Sequence, residues 1–181
     1  MRSLPLISGA IAFCAAVIIG AQTGSAPAPK YGVMNLETRI GSFVIIGTER
    51  LAEGRVEISF TGTLLVSQLE GKAGVTGKVR QEFDGMGRRV WFGTGKAVIE
   101  GKWRKLQWFG KDMKAQWRGR GTALLYGEYD AKTDSSGTVQ VDDLYPEKWR
   151  TTGHQVYVPK ELDPAWEVIK DKVKRLPGKG R

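Results

Sequence analysis

The sequence predicts an all-β domain, mainly an antiparallel meander forming a barrel or a sandwich, with one C-terminal α-helix and an N-terminal signal peptide. Three observations predict this. Between Tyr31 and Val158 short runs rich in β-branched and aromatic residues follow one another. Glycine or charged turn residues close most of these runs, at intervals of about 8–12 residues. The two ends of the chain break that pattern, the first by an unbroken apolar run and the last by a helical period. The boundaries read as 1–26 for the signal peptide, 27–160 for the β-domain and 161–181 for the helix and basic tail.

At the front, Arg2 supplies a positive start and Leu6–Ala21 an apolar stretch. The small residues of "GAQTGSA" then offer cleavage after Ala21 or Ala26. The apolar run is short for a membrane span, which needs about 20 residues. The expected location is therefore the periplasm or the extracellular space. Cys14, the chain's one cysteine, falls inside this segment. Phe13 before it is too large for a lipoprotein signal. The mature chain would carry no thiol, which excludes disulfides and thiolate chemistry.

Eleven runs read as strands: "FVIIG", "VEISF", "TLLVSQL", "VTGKVRQEF", "RRVWFGTG", "KAVIEGKW", "KLQWF", "MKAQW", "TALLYGEY", "GTVQV" and "QVYVP". In "VTGKVRQEF", Val75, Gly77, Val79 and Phe83 share one side, and Thr76, Lys78, Arg80 and Glu82 the other. "DGMG" at Asp84–Gly87 marks a tight reversal. "GTGKAVIEG" (Gly93–Gly101) echoes "GRGTALLYG" (Gly119–Gly127), as one hairpin repeated in a meander would. Those paired glycines read as bulges or bends rather than as a phosphate loop, because strand pattern continues on both sides.

In the last segment Asp163 can cap a helix, Pro164 suits its first position and Pro177–Gly178 ends it. Trp166, Ile169, Val173 and Leu176 make an apolar stripe opposite Lys170, Lys172, Lys174 and Arg175. The stripe is expected to pack on the sheet, with a membrane-surface helix as the alternative.

The chain holds 28 Lys and Arg against 19 Asp and Glu, a net charge of +9, and loss of the leader removes only Arg2 from that balance. A surplus of this size favours anionic partners: an anionic polysaccharide, a glycolipid or a membrane surface. Export disfavours nucleic acid.

Catalytic patterns are sparse. His154 is the one histidine, so zinc and copper sites lack ligands, and no G-x-S-x-G elbow is present. The carboxylate pairs Glu82/Asp84, Glu128/Asp130 and Asp142/Asp143 each sit where a strand meets a turn, a common structural use of Asp. "DAKTDSSG" lacks the ligand spacing of a calcium loop. No cofactor and no metal is expected.

The richest stretch is "GKWRKLQWFGKDMKAQWRGRG", Gly101–Gly121, with seven Lys or Arg, one acid and three of the six Trp. A type II′ turn at Gly110–Lys111 would fold it into a hairpin. Alternation then gathers Leu106, Trp108, Met113, Ala115 and Trp117 on a buried face, with Arg104 as the discordant inward charge. The outer face receives Trp103, Lys105, Phe109, Lys114, Arg118 and Arg120, and Trp103 comes opposite Arg118 at cation–π distance. Those six residues are the candidate binding site. The function expected is a non-enzymatic envelope protein that binds an anionic polysaccharide or glycolipid, or acts as a scaffold. A lipid-carrier β-barrel and a small carbohydrate-active enzyme are the rival readings.

Overall fold

A computed structural model describes residues 30–48, 51–150, 153–166 and 168. Eight strands form one sheet among them: β1 (Gly32–Ile46), β2 (Ala52–Ser67), β3 (Glu70–Gly85), β4 (Arg88–Trp103), β5 (Lys105–Gly127), β6 (Gly137–Val141), β7 (Glu147–Trp149) and β8 (His154–Val158). Their order is β3-β4-β2-β5-β1-β6-β7, with β8 beside the end of β5. The expected β-class is present; β3 and β4 form a hairpin, and β2 pairs with β4 rather than with β3. The sheet is single and open, so it is neither a closed barrel nor a two-sheet sandwich.

Strand β1 touches β5 twice. Gly32 faces Gly119 and Ile46 faces Lys105 in one run, while Gly41 faces Gly127 and Ile46 faces Thr122 in another. In both runs the partner's number falls as that of β1 rises, so both are antiparallel in sense. Residues 41–46 therefore have β5 on either side.

The sheet is also strongly coiled. Trp103 pairs with Ala52 and Lys105 with Ser67, at opposite ends of β2. A flat strand of that length would separate those ends by about 50 Å. The single residue Arg104 between β4 and β5 spans only ~7 Å, so β2 must curl back on itself.

Glycines make the bends. Gly71, Gly101, Gly54, Gly119 and Gly32 lie opposite one another across five strands. Gly93, Gly62, Gly110, Gly41 and Gly127 form a second such row. Gly54 has φ +129° and a Cβ there would meet the Arg118 carbonyl oxygen at 2.1 Å. Gly62 has φ +152°, and its Cβ would lie 2.2 Å from the Phe109 carbonyl oxygen. Only glycine lets the neighbouring backbones approach this closely.

These bends explain the miscount of strands. "VEISF" and "TLLVSQL" are two arms of β2, and "RRVWFGTG" and "KAVIEGKW" two arms of β4. "KLQWF", "MKAQW" and "TALLYGEY" are all β5. The glycines between them bend each strand without ending it. The echo of Gly93–Gly101 in Gly119–Gly127 is accordingly a recurrence of corners. "DGMG" does reverse the chain, with Met86 at φ +48° and Gly87 at +68°, the type I′ signature.

Every second residue of the coiled strands points inward. Phe43, Ile45, Val56, Leu64, Ile99, Trp103, Trp108, Trp117 and Leu125 are fully enclosed. Phe43 meets Trp108 edge-on at 4.9 Å between ring centroids, an arrangement that suits the aromatic quadrupoles. Burial of each such side chain is worth about 2–3 kcal/mol.

The signal peptide over 1–26 lies outside the described residues. So does most of the segment expected to be helical over 161–181; its described beginning is a short 3-10 turn at Lys160–Leu162, after which Asp163 Oδ1 accepts the Ala165 N–H at 2.9 Å.

Candidate functional site

The expected hairpin at Gly110–Lys111 is not there. β5 continues through this point without reversing, and Asp112 takes φ +54° as an extra residue between the pairs Ser59–Lys114 and Thr61–Lys111. That is a β-bulge, which holds one more residue on one strand than on its partner. A bulge shifts the inward parity by one residue, as a two-residue turn would. Leu106 and Trp108 before it, and Met113, Ala115 and Trp117 after it, are therefore all buried, as expected from the sequence.

Trp103 is a correction. It is the last residue of β4, wholly enclosed, with its ring 6.4 Å from that of Trp117. The reading by alternation carried it onto the outer face because it ran β4 and β5 together across the bend. Arg104 occupies that bend, exposed, with its N–H donating to the Ser67 carbonyl at 3.1 Å. The cation–π pair of the described residues is Arg80 over Phe92, at 5.6 Å.

The other five candidates separate into two groups along β5. Lys105 and Phe109 precede the bulge; Lys114, Arg118 and Arg120 follow it. The second group lies among acids from the flanking strands. Lys114 Nζ is 3.0 Å from Glu37 Oε1. Arg118 faces Arg55, which in turn binds Glu57 at 2.9 Å and Glu100 at 3.2 Å. Arg120 faces Glu53 and lines a pocket of about 410 Å³ with Glu53, Glu70 and Lys102. Lys102 itself reaches Glu53 at 3.8 Å. This end of the sheet is a mosaic of both charges.

Lys105 and Phe109 have different surroundings. "WFG" occurs at Trp91–Gly93 and again at Trp108–Gly110, and "LYG" follows at Leu125–Gly127. In each triplet the first residue is buried, the second exposed and the third part of a glycine row. Directly opposite residues of antiparallel strands share a face. The outer face thus carries one row across six strand positions, in the order Arg80, Phe92, Thr63, Phe109, Ser42 and Tyr126. Phe92, Phe109 and Tyr126 are 44–49% exposed. Alternate strands set neighbouring rings about 10 Å apart, with only a hydroxyl residue between.

Cations flank the row. Two residues to one side lie Lys78, Thr94, Thr61, Lys111 and Ile40 in register. Two residues to the other side come the half-buried Val90, Leu65, Gln107, Val44 and Leu124. Arg88, Ser67 and Lys105 lie beyond. Among the described residues Lys78, Lys105 and Lys111 form no ion pair. Sequence reading found Phe109 and Lys105 but missed Phe92, Tyr126, Lys78 and Lys111. The recurrence of an aromatic residue before glycine at seventeen-residue spacing was the available signal.

The carboxylate pairs serve the scaffold. Asp142 accepts the N–H groups of Val33 and Lys160, each at 2.9 Å. Arg89 is 3.6 Å from Asp84 and Arg39 is 3.5 Å from Glu128, while Glu82 contacts Arg80. Asp130 accepts the Lys132 N–H at 2.9 Å and bridges to Ser135, closing the "DAKTDSSG" loop. Tyr129 donates to Asp134 at 2.6 Å, which holds that carboxyl below its ordinary pKa. His154 opens β8, where burial pushes its pKa down against the pull of Glu147, 3.7 Å away. No group of three His, Cys, Asp or Glu side chains among the described residues is placed to hold a metal ion.

Comparison of the chain with family models, with curated proteins and with solved structures finds no match.

Proposed function

We propose that this is an exported, non-enzymatic binding protein of the cell envelope, and that the outer face of its sheet holds an anionic carbohydrate. The single observation that carries this reading is the row Phe92, Phe109 and Tyr126, flanked by Lys78, Lys105 and Lys111, which form no ion pair among the described residues. Flat rings about 10 Å apart can each stack on the apolar face of a sugar, while the flanking ammonium groups meet carboxylate or phosphate substituents. Isolated exposed aromatics need no explanation, but an aligned set with its own cations does. Of the residues first singled out, Phe109 and Lys105 belong to this site. Lys114, Arg118 and Arg120 belong to the ion-paired end, and Trp103 to the core.

Each ring also adjoins a glycine corner in sequence; cover for that corner is the competing role, and the test separates the two. The chain is passed over an immobilised acidic polysaccharide and, separately, over vesicles bearing an acidic glycolipid. Exchange of Phe92 and Phe109 for Leu keeps apolar cover but removes the flat rings. We expect affinity to fall by about tenfold or more, the scale of one lost stacking contact. K78Q/K105Q/K111Q should flatten the dependence on salt, since fewer cations exchange for counterions. K114Q/R118Q/R120Q removes the same charge from the mixed end and should change little. Equal losses in both charge variants would mean bulk attraction and overturn a local site. So would leucine variants with lower melting temperatures but unchanged retention. Binding to vesicles and not to free polysaccharide would identify the carbohydrate as a lipid headgroup.

A further inference from the structure

The free edge of the sheet leads to a second surface, which shares only Lys78 with the carbohydrate site. β3 pairs with β4 along one side and ends the sheet on the other, over sixteen residues. An edge this long offers a row of unpaired N–H and C=O groups, which natural proteins cover, shorten or fill. The inward residues of β3 are also unfinished. Ala73, Val75 and Val79 pack on the core through Ile99, Ala97 and the Gly93 position of β4, yet remain only partly buried. On β2, two strands in, Val56 and Ile58, in register with Ala73 and Val75, are enclosed. The core stops at β3 for want of a neighbour.

We propose that the neighbour is β3 of a second copy, added antiparallel across a two-fold axis at Gly74. The charges of the strand select this register. An axis perpendicular to the sheet sets even-numbered residues opposite even and odd opposite odd, so inward faces meet inward faces. With Gly74 on the axis, Glu70 lies opposite Lys78 at both ends, and Lys72 lies opposite Thr76. Ala73 and Val75 then cover one another, and the contact stops short of the register shift between Gln81 and Phe83. Other centres fare worse. An axis at Val75 gains Glu70 against Arg80 but opposes Lys72 to Lys78, at Thr76 opposes Glu70 to Glu82 and Lys72 to Arg80, and at Lys78 opposes that residue to itself. An axis at Gly77 gains Lys72 against Glu82 but sets Glu70 against Asp84. Gly74 has nothing within 4 Å of where a Cβ would stand, so a side chain placed there has open space within its own chain.

Sedimentation velocity across the accessible concentration range tests this on the full chain, with thermal melts confirming that each variant folds. The parent should show a concentration-dependent monomer–dimer equilibrium. K78E places a carboxylate opposite Glu70 at each end and should weaken dimerisation by about tenfold or more. E70K/K78E exchanges the signs and should restore the dimer. Gly74→Lys should abolish it by setting two ammonium groups on the axis. A parent that stays monomeric at every concentration would sink the proposal. A dimer indifferent to K78E and to Gly74→Lys would do the same, since it would have to form elsewhere.

Discussion

The two arms of β5 on either side of Asp112 are alike in sequence and unlike in situation. Both alternate an apolar inward residue with a polar outward one, both bury a tryptophan, and both carry basic residues on the outer face. Before the bulge the outer residues are Lys105, Gln107, Phe109 and Lys111, beside Thr63, Ser42 and the aromatics Phe92 and Tyr126. After it they are Lys114, Gln116, Arg118 and Arg120, beside Glu37, Glu57, Arg55 and Glu53. The first arm therefore exposes cations and rings that form no ion pair among the described residues, whereas the second sets its cations among acids and bases of the flanking strands and pairs Lys114 with Glu37. What a basic strand can bind depends on which strands fold beside it. Composition alone does not reveal that.

The strongest way to break the comparison is to remove the element that joins the arms. Deletion of Asp112 would shift the parity of one arm by a residue. Either Leu106 and Trp108 or Met113, Ala115 and Trp117 would then face water. Loss of even two such side chains from the core costs about 4–6 kcal/mol, a large part of a domain's stability. The deletion variant should show no cooperative unfolding transition by circular dichroism.

A smaller effect should distinguish the arms from within. Trp117 Nε1 donates to the Glu53 carbonyl at 3.2 Å, whereas Trp108 Nε1 is buried without a partner among the described residues. Phe in place of either removes volume, but only at Trp117 does it also break a hydrogen bond. Trp117→Phe should therefore cost about 1 kcal/mol more than Trp108→Phe in denaturant titrations. Equal costs would show that the indole N–H of Trp117 contributes nothing to the difference. The smallest change is expected from Lys114→Gln. Its ion pair with Glu37 is exposed on both sides, and stability should move by less than about 0.5 kcal/mol.

Some of this was legible in the sequence and some was not. The buried face of β5 could be read although the turn proposed for it does not exist, because turn and bulge impose the same change of parity. Gly110–Lys111–Asp112 looks like a reversal in one dimension; the paired glycines of β2 and β1 make it a corner. Trp103 was misplaced because nothing in "KWRKL" marks the break at Arg104, where the chain passes from one end of β2 to the other. The amino-terminal arm of β1, with Met34 and Leu36 buried, went unread although its alternation is clear. The aromatic row was hidden for a different reason. Its members stand on separate strands, and only long-range pairing brings them into line.

The glycine rows have a further consequence, for errors during folding. On β2 and β4 the two rows are separated by the steps Gly54 to Gly62 and Gly93 to Gly101. On β1 and β5 the steps are one residue longer, Gly32 to Gly41 and Gly110 to Gly119, and the shift beside Thr61 absorbs the difference. A strand that paired one residue out of place would carry side chains into two corners at once, each against a neighbouring carbonyl. Long strands rich in small residues are otherwise prone to slide. Here the corners act as a check on alignment, and a misaligned sheet cannot complete its coil.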